Sequence, residues 1–279
     1  MLVKDWMIHI MARPRRLGEL KWISLILITS FLAVLATNVH AMTAQEILEQ
    51  VDKQSFSDNF RVSLTFKAFK GNKVISSRAL WLMAKVQEGK GSYFLDFYEP
   101  KESNGLRYLF LEQAGQEPSA YMYLPGTYKT MPVAADDPSV DVGGTGITTE
   151  DLQRFLGKAE AEKAVLREEP LDGRECYVIK IPISQTKGER LQWVSKDNFL
   201  MLKSQHLDGQ GNILRTFMVT KFFKTLQGKE FPWEEEITVP AKGVRITVRQ
   251  DSAVFGIEIP DEVTDPQKFG TFRWKGWTH

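Results

Sequence analysis

Apolar and polar residues alternate along much of the chain after residue 59, which is the pattern of β-strands. The clearest segment begins at Phe60 and ends at Ala68, where apolar side chains hold every even position and polar ones every odd position. Because neighbouring side chains of a strand point to opposite faces, one face of this strand is apolar. Similar segments recur as far as Gln250.

Turn signals separate most of these segments and place them in hairpin order. Examples are Gly71-Asn72, Asp172-Gly173 and Asp197-Asn198. The strands do not alternate with helices as they do in βαβ units. The pattern therefore predicts a mainly β fold of about ten or eleven antiparallel strands, closed or nearly closed on itself as a barrel.

Two short amphipathic helices interrupt the strands. Thr43 and Glu46 are spaced as a capping box, and the helix that follows is predicted to end near Lys53. Residues 148–151 start a second helix, which is predicted to end at Gly157. Since a helix that is apolar on one face must cover something apolar, both are expected across an open mouth of the barrel. The second helix would act as a lid through Leu152, Phe155 and Leu156.

The stretch YMYLPGTYKTMPV, residues 121–133, predicts an aromatic hairpin. Pro125 and Gly126 suit a type II turn, which would place Tyr123 opposite Tyr128 and Tyr121 opposite Thr130. Tyrosine suits the boundary between an apolar interior and water, because its ring can be buried while its hydroxyl stays hydrated. This hairpin is therefore predicted to form part of a cavity wall near its rim.

The apolar strand faces predict either an ordinary packed core or a ligand cavity. Eight strands can be filled by their own side chains, but a wider barrel leaves an interior that needs a plug or a ligand. Apolar walls with few polar groups would suit a lipid. The residues predicted to line such a cavity are Leu64, Phe66, Leu95, Phe97, Tyr121, Tyr123, Trp193 and Ile246.

Recognisable catalytic and metal-binding motifs are absent from the sequence. After residue 41 the histidines are His206, for which a surface or turn role is favoured over catalysis, and His279. The aspartates at 136, 137 and 141 do not fit an EF-hand and favour a solvated loop. Glu234-Glu235-Glu236 is interpreted as a solvated strand edge. We therefore expect a protein that is not an enzyme and that uses no metal or cofactor.

The N-terminus has the three parts of a cleavable signal peptide, residues 1–41. A basic segment between Arg13 and Lys21 precedes an apolar run from Trp22 to Thr37, and Val39-His40-Ala41 suits cleavage. The alternative is a retained membrane anchor, but the run of about 16 residues is shorter than the roughly 17–25 that a spanning helix needs. Residues 42–279 are then predicted to form a single exported domain.

Charge and cysteine content limit which kinds of partner and which covalent links the exported domain can have. The net charge of the whole chain is only +1, and removing the basic N-terminal segment leaves no basic surface for nucleic acid. Cys176 is the single cysteine, so an intramolecular disulfide is impossible. Within the strand sequence CYVIKI it is interpreted as a small apolar core residue.

Several motifs together resemble the outer-membrane lipoprotein-sorting protein family, the LolA-like group. FYEPKESNGLRYLFL is followed by YMYLPGTYKTMPV and then by GGTGITTEDL, and the later IEIPDEVTD agrees with the same pattern. The resemblance covers most of residues 42–266. It departs at Val263-Thr264, where the family usually carries Phe-Thr.

The resemblance implies an unclosed antiparallel β-barrel whose open mouth is covered by helices and whose cavity holds acyl chains. It favours a periplasmic, non-catalytic carrier or chaperone for a lipid or lipoprotein. The partners would be acyl chains and an inner-membrane transporter, and we expect a monomer. The alternative is an accessory subunit that docks on an inner-membrane exporter, or a lipid sensor, without carriage. Arg61 and Arg107 are the candidates for the arginine that locks the lid in this family.

Overall fold

A computed structural model of the chain describes residues 41–55, 59–87, 90–112, 118–135, 137, 140–149, 151–152, 163–183, 188–224, 228 and 230–273. The predicted signal peptide, apart from Ala41, lies outside the described residues. The fold is that of the unit Thr43–His279. Among the described residues, no helix combines the length and the hydropathy that crossing a membrane requires.

The fold is mainly β, as predicted, and its strands form a single antiparallel sheet. The sheet has thirteen strands, so the prediction of ten or eleven was too low. The strands are β1 Phe60–Lys70, β2 Lys73–Gln87, β3 Lys90–Glu99, β4 Arg107–Leu111, β5 Ser119–Leu124, β6 Lys129–Val133, β7 Ala164–Leu171, β8 Arg174–Ile183, β9 Gly188–Ser195, β10 Met201–Leu207, β11 Ile213–Lys224, β12 Glu230–Val239 and β13 Val244–Phe255.

The order of the strands places the first strand beside the last. Strands β1 to β6 follow one another outward from β1 to one edge, and β13 back to β7 follow one another outward to the other edge. The two halves meet where β1 pairs with β13, from Phe60 opposite Phe255 to Lys70 opposite Val244. Since β6 and β7 end the sheet on opposite sides, the sheet is unclosed.

The edge strand β7 is a strand that the sequence pattern did not predict. It carries Arg167, Glu168, Glu169 and Pro170, and most of its residues are exposed. Charges and proline are disfavoured in a central strand but suit an edge, where one side of the backbone needs no partner. A strand of this kind has no apolar alternation to reveal it.

Helix α1 spans Ala44–Ser55, two residues beyond the predicted end. Its capping box is confirmed. The Thr43 backbone N–H donates to Glu46 Oε2 at 2.7 Å, and the Glu46 N–H donates to Thr43 Oγ1 at 3.2 Å. Ile47 on its apolar face is fully buried. Short 3-10 helices occupy Lys101–Ser103, Pro240–Lys242 and Asp261–Thr264.

The central strands bury side chains on both faces of the sheet. On β3, Tyr93 and Leu95 belong to one apolar cluster and Phe94 to another. We call the first side the cavity face and the second the tail face. The tail face is covered by the C-terminal segment, residues 256–273, which we call the tail and which packs Ile259, Val263 and Phe269 onto it.

Candidate functional site

The cavity face encloses a cavity of about 260 Å³. Its volume lies just below the roughly 300–1,000 Å³ of typical small-molecule pockets. Most of its wall is aliphatic or aromatic. The strands supply Phe60, Val62, Leu64, Phe66, Leu82, Tyr93, Leu95, Phe110, Met201, Phe231, Pro232, Trp233, Val248 and Phe255, and Leu200 lies directly before β10. The arrangement can hold an apolar molecule.

The alternation of β1 is confirmed as the basis of one wall. Phe60, Val62, Leu64 and Phe66 all line the cavity, whereas Lys67 is exposed. On the neighbouring strand β13, Val248 lies opposite Phe66 and completes the same surface. The period-two pattern therefore correctly predicted which side of β1 faces inward.

The segment 140–152 covers part of the cavity and contributes Ile147 and Leu152 to its lining. Asp141 fixes the turn within this segment, because its carboxylate accepts the backbone N–H groups of Gly144 at 2.7 Å and Gly146 at 3.1 Å. The described residues contain no cluster of side chains that could hold a metal ion.

The predicted start of the lid helix is confirmed at its capping box. The Thr148 N–H donates to Asp151 Oδ2 at 2.9 Å, and the Asp151 N–H donates to Thr148 Oγ1 at 3.2 Å. Leu152, which was predicted as a lid residue, lies in the lining of the cavity. Phe155 and Leu156, the other predicted lid residues, lie outside the described residues.

Two arginines that the sequence did not single out hold segment 140–152 in place. Arg215 Nη1 forms an ion pair of 2.7 Å with the fully buried Asp151, and Arg215 Nη2 donates to the Gly146 carbonyl. Arg78 Nε donates to the Gly143 carbonyl at 3.0 Å. The signal that could have identified Arg215 is its place in a strand beside apolar residues, where a buried guanidinium needs a carboxylate.

Arg61 and Arg107, the predicted candidates for locking the lid, contact other parts of the fold. Arg61 lies over the ring of Trp81, with 4.9 Å between the guanidinium carbon and the ring centroid. Arg107 is buried and donates to the carbonyls of Phe269, Gly270 and Phe272 in the tail. Its guanidinium holds the tail and not segment 140–152.

The predicted cavity residues fall into three groups. Leu64, Phe66 and Leu95 line the cavity. Phe97 and Ile246 are buried in the same apolar cluster but do not line the cavity. Trp193, Tyr121 and Tyr123 belong to different clusters, and the structure does not bring them to the cavity.

The aromatic hairpin packs under the tail and does not form the cavity wall that the sequence predicted. Tyr123 is buried against Phe269, with 6.5 Å between their ring centroids. The pairing also differs from the prediction, since Tyr123 lies opposite Thr130 and Tyr121 opposite Pro132. The loop between the strands is two residues longer than predicted, because Thr127 and Tyr128, which has a positive φ of 56°, belong to the loop and Leu124 pairs with Lys129.

The turn at the tip of the hairpin keeps its predicted position but not its predicted type. The Thr127 N–H donates to the Leu124 carbonyl at 3.2 Å, which closes the expected four residues. Gly126 does not have the positive φ that a type II turn requires. Four-residue hairpin loops are usually built around a type I turn, which accounts for the difference.

Trp193 lies in a separate cluster between β8, β9 and β10. It packs with Cys176, Val178 and Leu202, and its indole N–H donates to Glu169. Cys176 is fully buried, as predicted, and burial raises the pKa of its thiol. His206 is 3% exposed on β10, so its predicted surface position is wrong.

Glu235 is a lining residue that sequence reasoning missed, because it was grouped with its neighbours as a solvated edge. It lies on β12 and faces the cavity together with Trp233. Burial raises the pKa of its carboxyl to about 7. The signal was present in the alternation, since an inward-facing Ile237 predicts that Glu235 faces inward too.

The remaining polar groups of the lining are few. They are the amides of Gln54 and Gln250, the hydroxyl of Tyr93 and the indole N–H of Trp233. Burial, and then the negative charges of Glu112 and Asp52, raise the pKa of Tyr93 above its usual value. This hydroxyl is therefore neutral at physiological pH.

Solved structures of low sequence identity share this fold. A DUF1329 family protein from Desulfovibrio piger has a TM-score of 0.70 at 19% identity, over 79% of this chain and 95% of the other. A domain described as a candidate outer membrane lipoprotein-sorting protein, from Vibrio parahaemolyticus, has a TM-score of 0.71 at 15% identity, over 81% and 97%. A LolA superfamily protein from Nitrosomonas europaea has a TM-score of 0.64 at 19% identity, over 81% and 98%.

These likenesses confirm, at the level of the fold, the resemblance that the sequence motifs carried. A family model described as "uncharacterized protein" matches residues 89–270. Among curated proteins, none has a sequence that matches this chain.

Proposed function

We propose a function from the premise that the chain belongs to the family described as "uncharacterized protein" and has the LolA-like fold. The protein is a periplasmic, non-catalytic carrier or chaperone that binds a lipid or the acyl chain of a lipoprotein. The observation that carries this proposal is the apolar cavity of about 260 Å³. Its size suits a single slender chain.

An aromatic rim supplies a route by which a chain reaches the cavity. Phe231 and Phe255 line the cavity and stack on each other, with 5.0 Å between their ring centroids. Phe255 is 43% exposed. Phe223, which lies opposite Phe231 on the neighbouring strand, is 50% exposed. This exposed apolar surface is therefore continuous with the cavity, as the mouth of a lipid carrier requires.

Native mass spectrometry of the protein purified gently from periplasm tests carriage directly, with organic extraction afterwards. We expect a stoichiometric lipid or lipoprotein in the native spectrum and its chains in the extract. An empty protein that also fails to bind fluorescent acyl probes would overturn the proposal.

Leu64→Trp provides the matched test, because the indole ring would occupy the cavity. We expect this variant to be purified without bound lipid. The control is Leu166→Trp, which adds the same ring at a 46% exposed position on the edge strand β7. Retention of lipid by both variants would show that the lipid binds elsewhere.

A docking subunit of an inner-membrane exporter, or a lipid sensor, is the second candidate. Val74 and Ile75 favour it, since these neighbours near the β1–β2 turn are 47% and 51% exposed and do not line the cavity. Cosedimentation with inner-membrane vesicles separates the candidates. Docking predicts that Ile75→Asp reduces cosedimentation and that Leu64→Trp does not, whereas carriage without docking predicts no effect of Ile75→Asp.

A further inference from the structure

The carboxyl of Glu235 stands among apolar neighbours in the middle of the sheet. On β12 it lies between Trp233, which lines the cavity, and the fully buried Ile237. Its neighbours across the sheet are Val219 on β11 and Val248 on β13. Among these four neighbours the one polar group is the indole N–H of Trp233.

Most charged residues of β12 and the adjoining strands pair with one another on the other face of the sheet, and Arg215 of β11 pairs with Asp151 of segment 140–152 at 2.7 Å. Glu234 forms an ion pair of 3.0 Å with Lys221, and Glu236 forms one of 3.0 Å with Arg245. On β13, Arg249 pairs with Asp251 at 2.7 Å. In the part of the chain that the structure describes, Glu235 has neither a hydrogen bond nor an ion pair.

Few groups facing the cavity could influence this carboxyl. The lining residues from α1 and β13 are the neutral amides Gln54 and Gln250, and segment 140–152 contributes the apolar Ile147 and Leu152. Tyr93 on β3 is the other titratable group of the described lining. Burial is the cause of the raised pKa of Glu235.

An unpaired carboxyl in an apolar cavity is unfavourable, and a wholly aliphatic ligand would make it more so by excluding water. Burying an ionised carboxylate without a partner costs several kcal/mol even after the protein relaxes. A ligand with a hydrogen-bond donor at this depth removes that penalty, and a charge-assisted hydrogen bond is stronger than a neutral one. A ligand that ends in an anion would add repulsion.

We propose that Glu235 binds the polar group of the cargo and that this group is a hydrogen-bond donor. An amine is preferred over a hydroxyl. The inference rests on the proposed function, since it assigns the chemical class of cargo to the same cavity. The protein selects amphiphiles that present an ammonium or hydroxyl group beside an apolar chain. It discriminates against chains that end in a carboxylate.

The same arrangement makes affinity for an amine depend on pH. An alkylammonium group stays protonated up to about pH 10, as lysine does, so only the carboxyl changes its charge near neutrality. The carboxylate forms as the pH rises through the pKa of about 7. Amine affinity is therefore high above that pH and falls below it, while affinity for an alcohol changes little.

Competition between three ligands of equal chain length tests the inference. Dodecylamine, dodecanol and dodecanoate are used to displace the neutral fluorophore N-phenyl-1-naphthylamine from the purified protein at pH 8 and pH 5.5. At pH 8 we expect dodecylamine to bind at least about tenfold more tightly than dodecanoate, which is the worth of one charge-assisted hydrogen bond. This preference should weaken at pH 5.5.

Glu235→Gln should abolish the preference for the amine, because it removes the charge and keeps the shape. The control Glu234→Gln makes the same change of charge on the opposite face and should retain the preference. Equal affinities for the three ligands, or an unchanged order in Glu235→Gln, would overturn the role of Glu235 alone. If neither the fluorophore nor any ligand binds the unaltered protein, the carrier function itself fails.

Discussion

The two faces of strands β2 to β5 are both apolar, yet one is filled and the other is not. On the tail face Phe94, Leu109 and Phe269 are almost completely buried, and the ring of Phe269 meets Phe94 edge-on at 6.2 Å. On the cavity face, β2, β3 and β4 border about 260 Å³ of empty volume. The strands supply similar side chains to both faces, so the difference lies in what covers them.

The tail packs on the tail face, where the buried Arg107 binds its backbone carbonyls. Among the described residues, no comparable segment fills the cavity. Engineered cavities cost about 24 cal/mol per Å³, so an empty volume of 260 Å³ corresponds to roughly 6 kcal/mol of forgone packing. A ligand could recover part of that energy. The comparison shows that the tail face is packed and the cavity face is not, and under the proposed function the bound lipid would supply the missing contacts.

Arg107→Ala should have the largest effect, because it releases the tail. Arg107 Nη1 donates to three tail carbonyls, at 3.0, 2.8 and 2.9 Å, and Arg107 Nη2 pairs with Asp96 at 3.1 Å. We expect the free energy of unfolding to fall by about 3–5 kcal/mol, as it does when one partner of a buried ion pair is removed. Urea denaturation measures the loss. A fall below about 1 kcal/mol would show that the tail is held by apolar contacts alone.

Phe269→Ala and Leu64→Ala compare the two faces directly. Removing the fully buried ring of Phe269 leaves a new void and should cost about 3–5 kcal/mol. Leu64 already borders empty space, so its truncation should cost no more than about 2 kcal/mol. Thermal unfolding of the ligand-free proteins measures both. Equal losses would contradict the distinction between a packed and an open face.

Glu235→Gln should change how stability depends on pH. The folded pKa of about 7 lies above the ordinary value, so between the two the folded state binds more protons than the unfolded state. Stability therefore falls as the pH rises from about 4.3 to 7 and then levels off, by up to about 3 kcal/mol. The variant should lose this slope and be the more stable protein at pH 8. Urea unfolding from pH 5 to pH 8 measures it, with Glu234→Gln as the control.

Enlarged side chains should give the smallest effects and sharpen the comparison. Leu109→Phe forces extra volume into the packed tail face and should cost about 1–3 kcal/mol. Leu64→Phe places the same addition into the cavity and should be neutral or stabilise by about 0.5 kcal/mol. Chemical denaturation of the two variants measures their free energies of unfolding. A destabilised Leu64→Phe would mean that the cavity wall is already tightly packed.

Local patterns predicted the local structure well. The alternation in β1 identified the residues that face the cavity, and the spacing of Thr43 with Glu46 and of Thr148 with Asp151 identified both helix starts. Each of these features depends on side chains a few residues apart. Such information is contained in a short stretch of sequence.

The assignment of Tyr121 and Tyr123 could not be made in that way. Alternation shows which residues share a face, but on a strand buried on both faces it does not show which face borders the cavity. That choice depends on the tail, which reaches Arg107 from more than 160 positions along the chain. Glu235 was missed for a different reason. Its charge suggested a solvated position, although its place in the alternation of β12 predicts that it faces inward.

The pairing of β1 with β13 has a consequence for how the protein folds. Phe60 meets Phe255 across that seam, so the centre of the sheet cannot form until nearly the whole chain is available. Folding dominated by such distant contacts is slow, because loop-closure entropy is spent before the contacts compensate. Until β13 arrives, β1 keeps one edge without a partner, and a chain delayed at that stage would be the species most exposed to aggregation.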